Sequence, residues 1–192
     1  MDVQVPPSSP QSDRPAAGLG TSHYRIKIYG DGSRYEGHWL DGKRHGHGVY
    51  RWSNGDQYEG DWVNGKMEGQ GRFLWSNGDE YVGQWQTGRM HGQGRKTLAS
   101  GDVYRGEWQN DQACGYGVKE FACGDRHEGQ YWCDKRHGHG VYRWSSGDVY
   151  TGPWKNGKME GYGIKRMVDG ALGSRGAQLL ADDAALRALA VL

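Results

Sequence analysis

A 23-residue period runs through this chain six times without an insertion or a deletion. The units start at Tyr35, Tyr58, Tyr81, Tyr104, His127 and Tyr150. One of them reads Tyr58-Glu59-Gly60-Asp61-Trp62, then Asn64-Gly65-Lys66, then Gly69 and Gly71, then Asn77-Gly78-Asp79. A fixed period of this length points to a solenoid-type array, in which each unit covers its apolar side only against its neighbours. Such an array offers a long surface and rarely assembles an active site.

Within a unit, positions one, three and five are Tyr, Gly and Trp, as in Tyr58, Gly60 and Trp62. In a strand these share one face, and Glu59 and Asp61 turn to water. Asn64-Gly65 and Asn156-Gly157 supply the positive φ that tight hairpin turns need. A second strand starts near the Gly-x-Gly pair and ends on Trp52, Trp75, Leu98, Phe121, Trp144 or Met167. Turns such as Ser53-Asn54-Gly55-Asp56 lead onward. The predicted fold is therefore all-β: an elongated antiparallel meander of hairpins with one face lined by rings. Two strands per unit advance the array ~9.6 Å, so six and a half units make a ribbon roughly 60 Å long.

The 34 glycines in 192 residues far exceed the usual share of about 7 %, and they sit in register, unlike those of a flexible linker. The nine Trp and twelve Tyr against two Phe concentrate apolar area in large rings, which a thin fold needs. Residues 1–22 are polar and carry Pro6, Pro7, Pro10 and Pro15, a composition that cannot bury enough surface to order itself. Pro7 and Pro10 have PxxP spacing, a weak ligand pattern. Residues 24–34 read as the second half of a unit, so the array spans 23–170. Residues 171–192 are a linker and a short C-terminal helix: residues 177–189 are rich in helix formers, with Leu179, Leu186 and Leu189 at helical spacing. That helix either caps the array or supports self-association.

The pattern Tyr-Glu-Gly-x-Trp-x-x-Gly-Lys-x-x-Gly-x-Gly resembles the membrane occupation and recognition nexus (MORN) repeat, over residues 24–170. Within that family, Gly101-Asp102-Val103-Tyr104-Arg105-Gly106-Glu107-Trp108 with Gly115-Tyr116-Gly117-Val118-Lys119 is similar to the N-terminal arrays of plant and algal phosphatidylinositol-phosphate 5-kinases. Only 22 residues follow Gly170 here, so the resemblance carries over no kinase activity. It does imply anionic phospholipid as a partner, or regulation of such a kinase in trans. His127 stands where the pattern has Tyr, Tyr131 where it has Trp, and Asp111 and Asp134 where it has turn glycines. Pro153 lies mid-strand and removes a ladder donor. These irregular units are candidates for a bend or a partner contact.

No catalytic constellation stands apart from the period, so no enzyme, metal or cofactor is expected. His45-Gly46-His47 and His137-Gly138-His139 are about 38 Å apart in a straight ribbon and offer two ligands each, short of a zinc set. Cys114, Cys123 and Cys133 are sparse, odd in number and at three different unit positions, which fits a reducing compartment. A net charge of +1 gives no footprint for nucleic acid. No apolar run reaches the ~18 residues of a membrane span, and the N-terminus lacks a signal-peptide apolar segment. The expected location is the cytoplasm, with membrane surfaces and cytoskeletal or ciliary structures as places of attachment.

Two surfaces remain as candidate sites. Tyr58, Trp62, Tyr81, Trp85, Tyr104 and Trp108 would form a concave aromatic face that takes a peptide or helix of a protein partner. Lys43, Lys66, Arg89, Lys135 and Lys158 follow the first turn of their units, reinforced by Arg44 and Arg136. They would form a basic edge toward anionic phospholipid, at about 1 kcal/mol per cation. Asp56, Asp79, Asp102, Asp125 and Asp148 line the opposite edge, where Asp is also expected to bond its own turn backbone.

Overall fold

In a computed structural model, residues 21–168 and 175–180 are described, and they form one antiparallel sheet. Its strands are β1 (His23–Ile28), β2 (Arg34–Leu40), β3 (Lys43–Arg51), β4 (Gln57–Val63), β5 (Lys66–Leu74), β6 (Glu80–Gln86), β7 (Arg89–Thr97), β8 (Val103–Gln109), β9 (Gln112–Glu120), β10 (Arg126–Trp132), β11 (Lys135–Arg143), β12 (Val149–Lys155), β13 (Lys158–Met159), β14 (Gly163–Val168) and β15 (Arg175–Leu180). Each pairs with its sequence neighbours in an unbroken meander, save that β13 and β14 both pair with β12. The predicted meander is therefore what the chain forms. Residues 1–20, and with them most of the predicted tail, lie outside the described residues.

The two glycines of each Gly-x-Gly pair have different work. Between the pairs Gly60↔Gly71 and Trp62↔Met67 the register shifts, so that Asp61 alone faces residues 68–70. Gly69 takes φ 65° in this bulge, a conformation that glycine adopts without steric cost. The bulge recurs in the β2/β3, β6/β7, β8/β9 and β10/β11 hairpins. Gly71 instead lies directly opposite Gly60, and a Cβ on Gly60 would stand 2.5 Å from the Gly71 Cα. The Tyr58 ring and hydroxyl lie against this bare patch of backbone, so both glycines are needed for the ring to reach the sheet.

Asp61 does turn outward, as expected, but it also closes the bulge. Its carboxylate accepts the Gln70 N–H at 3.1 Å, and Gln84, Glu107 and Gln130 do the same for Gln93, Tyr116 and His139. Pro153 holds this place in the last unit and has no side-chain acceptor to offer. There the second strand breaks into β13 and β14, and the Glu160 N–H turns to the Pro153 carbonyl at 3.1 Å.

Two corrections concern the predicted irregularities and the C-terminal helix. Asp111 and Asp134 leave the register of their hairpins unchanged. At φ 72° and 65° they adopt the conformation of the glycines they replace. Their Oδ1 atoms also accept the Met90 and Ala113 N–H groups, each at 2.8 Å, so they add a link to the preceding unit. Residues 177–180, expected to begin a helix, belong to strand β15, whose backbone pairs with β14 from Gly163↔Leu180 to Val168↔Arg175. The open edge of β14 presents unpaired backbone groups, and a strand satisfies them where a helix cannot. The rest of the predicted helix, 181–192, lies outside the described residues.

Candidate functional site

The ring face is a zipper. Trp62 meets Tyr58 of its own unit edge-on at 5.1 Å and Tyr35 of the preceding unit at 5.5 Å. Trp85 sits likewise between Tyr81 and Tyr58, and Trp108 between Tyr104 and Tyr81. Each such edge-to-face pair contributes roughly 0.5–1.5 kcal/mol beyond area burial. The polar tips are satisfied as well. The Tyr58 hydroxyl donates to the Asp61 carbonyl at 3.1 Å, and Trp62 Nε1 donates to the Gly48 carbonyl at 3.1 Å. Burial raises the Tyr58, Tyr81, Tyr104 and Tyr131 phenols far above their ordinary value, so all stay neutral.

This packing changes what the predicted aromatic residues offer a partner. Tyr58, Trp62, Tyr81, Trp85, Tyr104 and Trp108 are all buried, none above 7 % exposed. A single-layer sheet has no second layer to cover its apolar side, so its largest rings cover one another and become the core. Tyr24, Tyr116, Trp132 and Tyr162 are the exposed rings among the described residues; beside the zipper itself, the ring surface that stays accessible is the neighbouring row. Trp52, Trp75, Leu98, Phe121 and Trp144 are half-buried, each one residue past the end of its strand. Trp52 packs on Tyr50 at 4.5 Å and Phe73 at 5.2 Å, and Trp75 on Phe73 at 4.5 Å. The recurrence of this row once per period was the signal that marked it in the sequence.

The turns fall on opposite edges of the ribbon, as the meander requires. Lys43, Lys66, Arg89, Lys135 and Lys158 are exposed on one edge, with Gln112 in the fourth unit's place. Among the described residues, no ion pair engages these five cations. Arg44 and Arg136 do not reinforce that edge. Their guanidinium groups fold onto the ring face, each 4.3 Å from a tryptophan centroid, Trp62 and Trp154 respectively. Each also donates to a carbonyl of the next unit, Gly65 or Gly157, at 2.9 Å. A weakly hydrated planar cation gains more from a ring and a carbonyl than from open water.

The aspartate edge is structural, through a longer reach than its own turn. Asp56 accepts the Ser76 N–H at 2.8 Å, one unit ahead. Asp79, Asp102, Asp125 and Asp148 repeat this to Ala99, Ala122, Ser145 and Val168. These backbone bonds help hold the Asp56 and Asp102 carboxyls below their ordinary value; for Asp125 the Tyr142 hydroxyl is the larger cause.

Unit five exchanges both of its zipper residues. His127 is fully buried between Tyr131 at 5.1 Å and Trp154 at 5.2 Å. Its Nδ1 lies 2.8 Å from the Tyr131 hydroxyl, and its Nε2 is buried without a hydrogen-bond partner. Burial, helped by the nearby Arg136 charge, lowers its pKa from 6.5 to about 4. His45 and His137 are half-buried and His47 and His139 exposed. Among the described residues no group of three or more His, Cys, Asp or Glu gathers as a metal site. Cys114 is half-buried, Cys123 and Cys133 are exposed, and all three are free thiols.

The MORN repeat family model matches residues 35–57, 58–80, 81–103, 104–126, 127–149 and 150–171. A search of curated proteins returned no match. Among solved structures, the chain is similar to one described as the SAS-4 (dCPAP) TCP domain in complex with a Proline Rich Motif of Ana2 (dSTIL) of Drosophila melanogaster. The two share 13 % identity at a TM-score of 0.43, covering 91 % of this chain and 97 % of that one. This likeness is too distant to carry an inference.

Proposed function

Because the chain belongs to the MORN repeat family, with six consecutive repeats over residues 35–171, we propose that it is a non-catalytic scaffold that binds a partner protein along the ring face of its array. The observation that supports this most is the half-buried row Trp52, Trp75, Leu98, Phe121 and Trp144 beside a core of fully buried rings. Half-covered tryptophans on a rigid sheet are suited to anchoring a partner, because Trp concentrates binding energy and loses little freedom on contact. The test compares protein capture by the wild type with capture by a Trp52→Gln, Trp75→Gln, Trp144→Gln variant. These sites spare the zipper, so the variant keeps its strand signal by circular dichroism. Loss of the captured set supports the reading, and an unchanged set from the folded variant removes it.

The free basic edge favours a second reading, peripheral binding to anionic phospholipid through Lys43, Lys66, Arg89, Lys135 and Lys158. Replacing three of these by Gln should weaken binding to phosphatidylserine vesicles about a hundredfold, at about 1 kcal/mol each. Binding should also fade between 0.05 and 0.5 M salt, on the order of a threefold fall in Debye length. Salt-independent binding would exclude the edge as its cause.

A further inference from the structure

One position in the array shows, inside the same molecule, both a cation on the rings and the space left when it is missing. Successive units place Arg44, Met67, Met90, Ala113, Arg136 and Met159 at the same point, just after the exposed cation row. Arg44 lies over Trp62 and Tyr50 of the ring face, at 4.3 and 4.8 Å. Arg136 does the same over Trp154 and Tyr142, at 4.3 and 5.0 Å. Met90 is part of the buried core and Met67 packs against it. Ala113 ends at Cβ.

A second change enlarges the gap. The row that holds Tyr50, Phe73 and Tyr142 holds Lys96 and Lys119 in units three and four. Both amines turn aside, Lys96 over Trp75 at 4.9 Å and Lys119 toward Asp102 at 3.2 Å. The result is a cavity of about 260 Å³ on the ring face, lined by Ala113, Trp108 and Tyr131 among others; Lys96 and Lys119 still border it, but the three carboxylates of Asp102, Asp111 and Asp134 outnumber them. Tyr131 stands where Trp62 and Trp154 stand beneath their guanidinium groups. Asp134 stands where Gly65 and Gly157 offer the carbonyls that Arg44 and Arg136 use. Each of Asp111 and Asp134 gives one carboxylate oxygen to a backbone N–H, at 2.8 Å, and keeps the other.

We infer that this cavity accepts an arginine side chain of a protein partner. The guanidinium fills the place that Ala113 leaves, against the small part of the Tyr131 ring that stays accessible (5 %), and donates to the carbonyl and carboxylate of Asp134, completing in trans the arrangement that Arg44 and Arg136 make in cis. Arginine suits the place better than lysine because its planar fork stacks on a ring and donates to two acceptors together. The inference rests on the ring face being the partner surface and narrows the partner to one that presents arginine.

The test is a titration of the full chain with N-acetyl-arginine N-methylamide, followed by the amide resonances of Ala113, Tyr131 and Asp134. The citrulline and lysine counterparts serve as controls. The expected result is saturable shifts in roughly the millimolar range, as a single side chain allows. The citrulline compound, which keeps the shape without the charge, should bind at least about tenfold more weakly. Asp134→Asn, which keeps an acceptor for the Ala113 N–H, should lose a similar factor. Ala113→Arg should abolish the shifts by filling the place from within. No saturable shift, equal binding of citrulline, or binding that survives in folded Ala113→Arg overturns the inference. Protein capture separates its failure from that of the wider reading. If Ala113→Arg keeps the proteins that the Trp52/Trp75/Trp144 variant loses, the arginine site is wrong and the ring face stands.

Discussion

Acidification from pH 7 to pH 5 should weaken this array through His127 before any carboxylate takes part. His127 is fully buried, and its pKa falls from 6.5 in the unfolded chain to about 4 in the fold. The fold holds the neutral ring, so between these values the unfolded chain binds a proton that the folded chain does not. Stability is therefore complete above pH 6.5, falls as pH drops toward 4, and changes no further through this group below it. At 1.36 kcal/mol per pH unit, the full loss is roughly 3 kcal/mol, and about 2 kcal/mol is already lost at pH 5. Carboxylates such as Asp56, Asp102 and Glu128 are held below their ordinary values of 3.8 to 4.5. Their contribution is lost only below that range, which leaves pH 5 to His127. Urea unfolding followed by tryptophan fluorescence at pH 7 and pH 5 measures the difference. The reference is a His127→Tyr, Tyr131→Trp variant, which restores the Tyr/Trp pair of the other five units. That variant should lose little between the two pH values. An equal loss in both proteins would refute the assignment to His127.

Four further outcomes follow from the packing. Gly71→Ala puts a methyl into the Tyr58 ring and should cost about 3 kcal/mol in urea unfolding, near the top of the overpacking range. Gly69→Ala carries the left-handed backbone cost of roughly 1–2 kcal/mol and sets its methyl 2.8 Å from an Asp61 carboxylate oxygen that can turn away, so it should cost less than Gly71→Ala; a larger loss at Gly69 than at Gly71 would reverse the two roles. Trp85→Ala opens the zipper between Tyr58 and Tyr81 and should cost about 3–5 kcal/mol, with slowed folding or partial unfolding visible in hydrogen exchange of β5 and β6. Asp134→Ala removes the acceptor for the Ala113 N–H and should cost about 1 kcal/mol, where a silent substitution would show the inter-unit bond to be idle.

How far the sequence can be read depends on whether the cause of a feature lies inside one unit. Tyr58, Gly60 and Trp62 sit within five residues, so alternation alone assigns them to one face, and the structure agrees. The separate duties of Gly69 and Gly71 are two residues apart but depend on the facing strand: one makes the bulge beside Asp61, the other lies bare beneath Tyr58. Arg44 reads as an edge cation beside Lys43 because nothing local distinguishes them. Its true neighbours, Trp62 and Gly65, are 18 and 21 residues away in the next unit. The aspartate row is only half read for the same reason: the Asp56 carboxylate accepts from the Asn54 side chain of its own turn, but its backbone partner is the Ser76 N–H one unit ahead.

The period by itself determined the strands, their antiparallel order and the opposite edges on which the two kinds of turn lie, because each is a matter of local alternation and turn chemistry repeated at fixed spacing. Only the tertiary structure decided which rings are spent on the core and which stay accessible. It also decided that Arg44 and Arg136 lie on the rings and that Ala113 leaves a space where they would be. Those outcomes depend on contacts between consecutive units, where a side chain of one repeat finds its burial, its acceptor or its absence in the next.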